Sequence, residues 1–372
     1  MCYSENMEIN ARVERSLNIL ASDKKYFDIL RLVAPVAKAL SGRQSIEVSQ
    51  DTRVEEEKIS IQQVVEMTHA LAEQIAPSLA LTFKKLISDS KFTVNKTMEF
   101  DADVDYYKKS LKEYENNIRE CEKDFELYEK TNDIDNMKFL EKQISEYKGR
   151  IEERKKLIDK LQTTLRGSEV NHETGILNLK QENSIEDVVV MMHELAHVQT
   201  PNLSGDSFIR EISSILTEFI CENFVGQEQM QGSKFSGRSA RVTAMQNDSS
   251  MINALIELFE EFERTDAVSN EDLENFSKSV DNAENPMEDF MSKFYFVIDK
   301  SVYFIGTASA LVLVDEVKNK YELQNVFDLL NRTDLSNMQK MQQLGLTRER
   351  FAVLANAMTT AKTQDSEQEM TK

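Results

Sequence analysis

The stretch Ser184-Ile185-Glu186-Asp187-Val188-Val189-Val190-Met191-Met192-His193-Glu194-Leu195-Ala196-His197 decides how this chain is read. Ser184 with Asp187 three residues on is a capping-box pattern, which predicts a helix beginning near Ile185. On that helix His193 and His197 are i and i+4, so they share a face. Two imidazoles at that spacing can hold one zinc ion. Glu194 falls about 100° round the helix, beside the ion rather than on it. That is the place for a general base that activates water. Only four histidines occur in 372 residues, and two of them fall in this pattern. That scarcity favours a metal site over a chance match on a buried helix.

A catalytic zinc site takes three protein ligands and leaves one position open. After Pro201 and Gly205 a second helix is predicted from Glu211 to Glu222. Glu211, Ser214 and Glu218 are i, i+3 and i+7 and share one face. Glu211 and Glu218 are about 10 Å apart along the axis at 1.5 Å per residue. One of them can be the third ligand, and the other then sits a turn or two away.

The pattern Glu211-x-x-Ser214-x-x-x-Glu218 following His193-Glu194-x-x-His197 resembles the thimet oligopeptidase and oligoendopeptidase F family of zinc peptidases. In that family the first glutamate of the second motif is the ligand, which the resemblance carries onto Glu211. Gly175-Ile176-Leu177-Asn178-Leu179 resembles the strand before the family's zinc helix, which makes Ile176 and Leu177 candidates for substrate binding. Tyr303-Phe304-Ile305-Gly306-Thr307-Ala308-Ser309-Ala310-Leu311 resembles the family's Tyr-x-x-Gly-x-x-x-Ala segment. There the tyrosine hydrogen-bonds the tetrahedral intermediate, so Tyr303 is the candidate, with Tyr295 standing about where a second family tyrosine lies. The resemblance covers roughly residues 170–315. The chain departs from the family in having only 13 residues between His197 and Glu211 and no histidine after His197. The family's substrate-binding histidine therefore has no counterpart. The same helix also resembles the Glu-x-x-x-Asp motif of thermolysin-type peptidases through Glu218 and Glu222, which would make Glu218 the ligand. Ser214 and Tyr303 match only the first family.

Composition bounds the rest. With 45 basic and 65 acidic residues the net charge is −20, which argues against general nucleic-acid or anionic-membrane binding. Forty per cent hydrophobic residues can fill a large core. Ten glycines, four prolines and no tryptophan mean few breakers, hence mostly helix. Cys2, Cys121 and Cys221 are odd in number and far apart, so no disulfide framework follows and a reducing, cytoplasmic compartment fits. Residues 1–15 do not read as a signal peptide. The longest apolar run, Val302 to Val314, reads as too short to span a bilayer.

Along the chain, residues 1–102 read as an N-terminal helical region, with periodic runs at Val13-Leu17-Leu20 and from Ile29 to Ala37. Pro35 and Pro77 are expected kinks or breaks. His69, in this region, reads as a surface or core histidine rather than a ligand. Residues 103–166 combine high charge with two apolar stripes separated by Thr131-Asn132-Asp133, which predicts an antiparallel coiled-coil hairpin. That arm reads as a solvated structural element or as a docking arm for a protein partner. Residues 167–362 form the expected catalytic domain, in which Glu169 to Lys180 supplies an edge strand open to β-addition. Gly226 to Ser250, with Arg238 and Arg241, reads as a mobile loop, and residues 363–372 as a disordered tail. The sequence thus predicts a mainly α, zincin-like catalytic domain with a small sheet, a helical N-terminal region and a long hairpin. The expected function is zinc-dependent hydrolysis of peptides or extended protein segments. His193, His197 and Glu211 hold one zinc ion, Glu194 is the base, Tyr303 assists, and Ser214 and Glu218 lie behind or in place of the ligand. The alternative is a non-catalytic helical interaction protein that keeps zinc for stability.

Overall fold

The computed structural model describes residues 25–41, 58–94, 101–131, 133–163, 168–171, 174–203, 208–225, 238–280, 290–317 and 320–369. Among these residues the protein is mainly α with one small sheet. In chain order the helices are α1 Lys25–Leu40, α2 Ile61–Ile75, α3 Pro77–Ser88, α4 Asp101–Thr131, α5 Ile134–Thr163, α6 Glu186–Gln199, α7 Glu211–Val225, α8 Arg238–Thr265, α9 Asn270–Val280, α10 Phe290–Leu313, α11 Lys320–Leu330, α12 Asn337–Gln343 and α13 Arg348–Glu369. The strands are β1 Phe92–Val94, β2 Glu169–Asn171 and β3 Ile176–Leu179, ordered β1-β3-β2.

The chain divides into two compact units. The first comprises Met1–Phe92, Val170–Leu177 and Gln181–Lys372, and α7 is its centre. Every residue of α7 from Glu211 to Glu222 is buried. Helices α6 and α10 pack along it, and α2, α8 and α11 also touch it. Ile212, Ile215, Leu216, Phe219 and Ile220 supply its apolar contacts, each contributing about 1.5–3 kcal/mol of burial free energy. Helix α2 opens with a reciprocal cap: Ser60 Oγ accepts the Gln63 N–H and Gln63 Oε1 accepts the Ser60 N–H. It ends where Pro77, which has no N–H to donate, begins α3. Pro35 lies inside α1 without dividing it. The Tyr26 hydroxyl at the start of α1 meets Ser301 Oγ of α10 at 2.6 Å, and Tyr26 packs on Phe208 and Phe259.

Several readings change here. The apolar run expected from Val302 to Val314 belongs to the longer α10, whose segment Lys293–Leu313 is long and apolar enough to cross a membrane by length and composition. A helix apolar all round is buried in something, and 61% of this segment is buried within the first unit, against α1, α7, α8 and α13. Helices α1–α3 share that unit with α6–α13, where the sequence reading drew a boundary at residue 102. The reason is that α2 and α3 bury their apolar faces on α6, and α1 does so on α8, α10 and α13. Residues 238–250, read as loop, are the first half of α8. The buried positions Met245, Ser249, Ile252, Ile256 and Phe259 carry one helical period through that stretch. Residues 226–237 of the expected loop lie outside the described residues, as does the run Val13-Leu17-Leu20. Residues 363–369, expected to be disordered, continue α13, since no glycine or proline interrupts the chain there.

The second unit is Thr93–Glu169 with Asn178–Lys180. Its helices α4 and α5 run antiparallel. The Tyr114 and Tyr147 rings stack at 6.0 Å, the Cys121 thiol meets Gln143 Oε1 at 3.7 Å, and the Arg150 guanidinium lies over Tyr114. At the turn, Asp133 caps α5 by accepting the Asn136 N–H. Leu140 and Ile151 are the buried points of the seam.

Because the unit holds its own seam, replacing residues 104–165 with a short Gly-Ser bridge should leave the first unit folded. Circular dichroism and urea unfolding should show one cooperative transition for the shortened chain. Loss of that transition would mean that the first unit needs the hairpin to fold.

Candidate metal centre

Helix α6 begins where its sequence says it should. Ser184 Oγ accepts the Glu186 N–H at 3.2 Å, and the Asp187 carboxylate accepts the N–H groups of Glu182, Asn183 and Ser184. The Ser184 hydroxyl thus satisfies one first-turn donor, the Asp187 carboxylate orders the residues leading into the helix, and Ile185 at the N-cap adds no side-chain cap. From this start the helix carries His193, Glu194 and His197 to buried positions facing α7.

His193 Nε2 and His197 Nε2 are 3.1 Å apart, and Glu211 Oε2 lies 3.5 and 3.4 Å from them. The three atoms form a nearly equilateral triangle. A tetrahedral zinc ion with ligand atoms about 2.0–2.1 Å away separates those atoms by about 3.3–3.4 Å. The donor set of two imidazoles and one carboxylate also suits zinc. The residues therefore fit the ion in both geometry and chemistry.

Around the triangle Glu211 and His193 have distinct partners. Ser214 Oγ donates to Glu211 Oε2 at 3.2 Å. Arg210 Nε stands 3.4 Å from Glu211 Oε1, and its Nη2 is 3.7 Å from Asp299. Glu218 lies behind His193: its Oε1 is 2.5 Å from His193 Nδ1, a close charge contact poorly aligned as a hydrogen bond. The same carboxylate takes a two-pronged contact from Arg241, whose Nε donates to Oε2 at 3.0 Å and Nη2 to Oε1 at 2.5 Å. Glu222 accepts the Arg238 N–H at 2.8 Å and so serves the start of α8 rather than the histidines.

Electrostatics follow from burial and pairing. Burial alone would raise the Glu211 pKa, but His197, His193 and Arg210 outweigh it and hold the carboxyl well below its usual range. Burial likewise opposes charge on Glu218, yet Arg241 and His193 bring it down to about 2. Burial disfavours a charged His193, but Glu218, Glu194 and Glu211 raise its pKa. Glu194 is pushed up to about 7 by burial, with His193 and His197 opposing. Tyr303 is raised to about 12 by Glu211 and by burial, so its hydroxyl stays protonated at neutral pH.

Tyr303 stands on α10 with the Arg241 guanidinium 5.7 Å from its ring centroid. One turn on, Gly306 explains how α10 comes so close. A Cβ there would be 2.6 Å from Glu211 Cβ and 2.9 Å from Ile215 Cδ1. Tyr295, eight residues and about 12 Å of helix rise before Tyr303, is 54% exposed and is not part of the cluster. Ile176 and Leu177 lie in β3, the central strand. The Leu177 N–H already donates to Lys91 O; within the expected Glu169–Lys180 stretch β2 lies at an edge, whereas β3, with Ile176 and Leu177, is central and offers no free edge for substrate. His69 pairs with Glu73 at 3.6 Å. The sequence reading missed Arg241 as part of the site because it took the residue for loop. The available signal was the helical period of α8, which places Arg241 one turn before Met245.

Gly306→Ala is a sharp test of the close approach. In an open helix this change stabilises by about 1 kcal/mol. Here the methyl overpacks against Glu211 and Ile215, which costs about 1–3 kcal/mol. Urea unfolding should show a lowered midpoint with unchanged slope. A raised midpoint would mean that α10 does not press on α7.

Comparison with protein-family models, curated proteins and solved structures finds no match for this chain.

Proposed function

We propose that the chain is a zinc-dependent peptidase with a zincin-like catalytic unit and a coiled-coil hairpin, acting on peptides or extended protein segments. The observation that carries this reading is the triangle of His193 Nε2, His197 Nε2 and Glu211 Oε2 with the buried Glu194 beside it. Bound there, zinc would supply a Lewis acid that polarises a carbonyl and lowers the pKa of water to about 7. Glu194 would take the proton of the attacking water and pass it to the leaving amine. The Tyr303 hydroxyl would donate to the carbonyl oxygen as negative charge builds there. Ser214 holds Glu211 in place, and Glu218 orients His193 from behind. A purely structural site needs no base, which favours the enzyme over the interaction-protein reading.

The purified chain should carry about one zinc ion, as the three-ligand count requires. Glu194→Gln should keep the metal and the fold and lose about 10²–10⁴-fold in hydrolysis of a mixed peptide library, the share usual for a general base. Elemental analysis well below half an equivalent would remove the metal reading. A variant as fast as wild type would remove Glu194 as base.

The two glutamates are separated by chelator competition. Glu218→Ala should weaken zinc by about 10–100-fold, the usual loss for a residue behind a ligand. Glu211→Ala should weaken it further, because a charged ligand is gone. The reverse ranking would make Glu218 the ligand and withdraw the role given to Tyr303.

A further inference from the structure

We infer that Arg241 is a positioning residue for the metal site: its two-pronged grip on Glu218 sets the orientation of His193. The inference rests on the metal reading above.

For His193 Nε2 to ligate, the ring's proton must sit on Nδ1 and face an acceptor. Glu218 Oε1, 2.5 Å from Nδ1, is the carboxylate placed to take that role, and how it is turned decides how well it can accept the proton. A carboxylate held only by one imidazole can still turn about its own bond. Arg241 prevents this by occupying both oxygens, Oε2 through Nε and Oε1 through Nη2. A guanidinium fork fixes a carboxylate plane in a way a single ammonium cannot. Glu218 is 1% exposed, so water has no access to replace a lost partner.

Arg241 is itself held. Glu222, one turn after Glu218 on α7, accepts the Arg238 N–H that opens α8. The Arg238 guanidinium lies 5.6 Å from the Phe219 ring centroid. Contacts from adjacent turns of α7 thus clamp the first turn of α8, and Arg241 projects from that clamp. Its guanidinium also lies over Tyr303, so one side chain touches both the support of a metal-binding histidine and the tyrosine across the site.

A residue that merely stabilised the fold would change unfolding and leave metal affinity alone. The experiment therefore measures zinc affinity by chelator competition and the visible absorption of cobalt-loaded protein. Urea unfolding accompanies both. The proteins are full-length wild type, Arg241→Met, Arg241→Lys, Glu218→Ala and the double variant Arg241→Met/Glu218→Ala. Arg241→Met should lose about 10–100-fold in zinc affinity and show an altered cobalt spectrum. Arg241→Lys, which keeps the charge without the fork, should fall between it and wild type. The double variant should bind no worse than the weaker single, because both changes break one chain of contacts. Wild-type affinity in Arg241→Met, or losses that simply add in the double variant, would overturn the inference while leaving the metal reading standing. If Arg241→Met does not fold, Arg241→Lys decides: wild-type affinity there overturns it. Failure of the wild type to bind zinc at all would remove the metal reading and this inference together.

Discussion

Buried charge has to be paired, and α7 carries three carboxylates into the interior: Glu211, Glu218 and Glu222. Removing one ion from water without compensation costs several kcal/mol. The helices around α7 are arranged to meet that demand. Helix α6 brings His193 and His197 to Glu211, and His193 also to Glu218. Helix α8 brings the Arg241 fork to Glu218 and its own first N–H to Glu222. Arg210 at the entry to α7 and Ser214 within it complete the surroundings of Glu211. The apolar residues of α7 supply most of the burial free energy, but they could be buried in many arrangements. The carboxylates select the one in which each finds its partner.

The opposite wall is shaped by an absence of side chain. Gly306 lets α10 reach Glu211 at a distance no other residue permits, and the same helix presents Tyr303 one turn earlier. A glycine in mid-helix lowers local helix stability by up to about 1 kcal/mol relative to alanine. That cost is tolerated where the rest of α10 is deeply packed: Phe294, Val297, Phe304, Ile305 and Ala308 are all at or near zero exposure. The apolarity that gives α10 the composition of a membrane span is here what anchors it firmly enough to carry a weak point beside the site.

Much of this was legible in the sequence, for reasons that differ by residue. His193, Glu194 and His197 sit on one uninterrupted helix, where spacing alone fixes their mutual directions. Glu211 and Glu218 were legible as alternatives, because helical rise forbids both from holding one ion. Which of them meets the Nε2 atoms depends on how far α7 slides along α6, and no local pattern encodes that. Arg241 was hidden by the glycine- and serine-rich residues before it, which read as loop. Its place in a helix was signalled only by the apolar period that begins at Met245, one turn further on. Ile176 and Leu177 show the same limit. Their strand was visible, but whether it is central or at the edge depends on Phe92–Val94, over eighty residues earlier.

Two glutamates two turns apart cannot share an ion, but they can share an imidazole. The His193 ring lies between them, with Nε2 3.5 Å from Glu211 and Nδ1 2.5 Å from Glu218. An imidazole has its two nitrogens on different edges, so it can link carboxylates that are too far apart to meet. Each glutamate thus faces a different nitrogen of one ring, without any difference in side-chain chemistry. Arg241 then neutralises Glu218 and Arg210 stands by Glu211, whereas among the described residues no lysine or arginine pairs with Glu194. Glu194 is only 7% exposed, and burial pushes its pKa up to about 7 against the pull of His193 and His197. Groups kept in that condition are concentrated at sites of chemistry. The raised pKa of Glu194 and the triangle of donor atoms beside it therefore meet at one place.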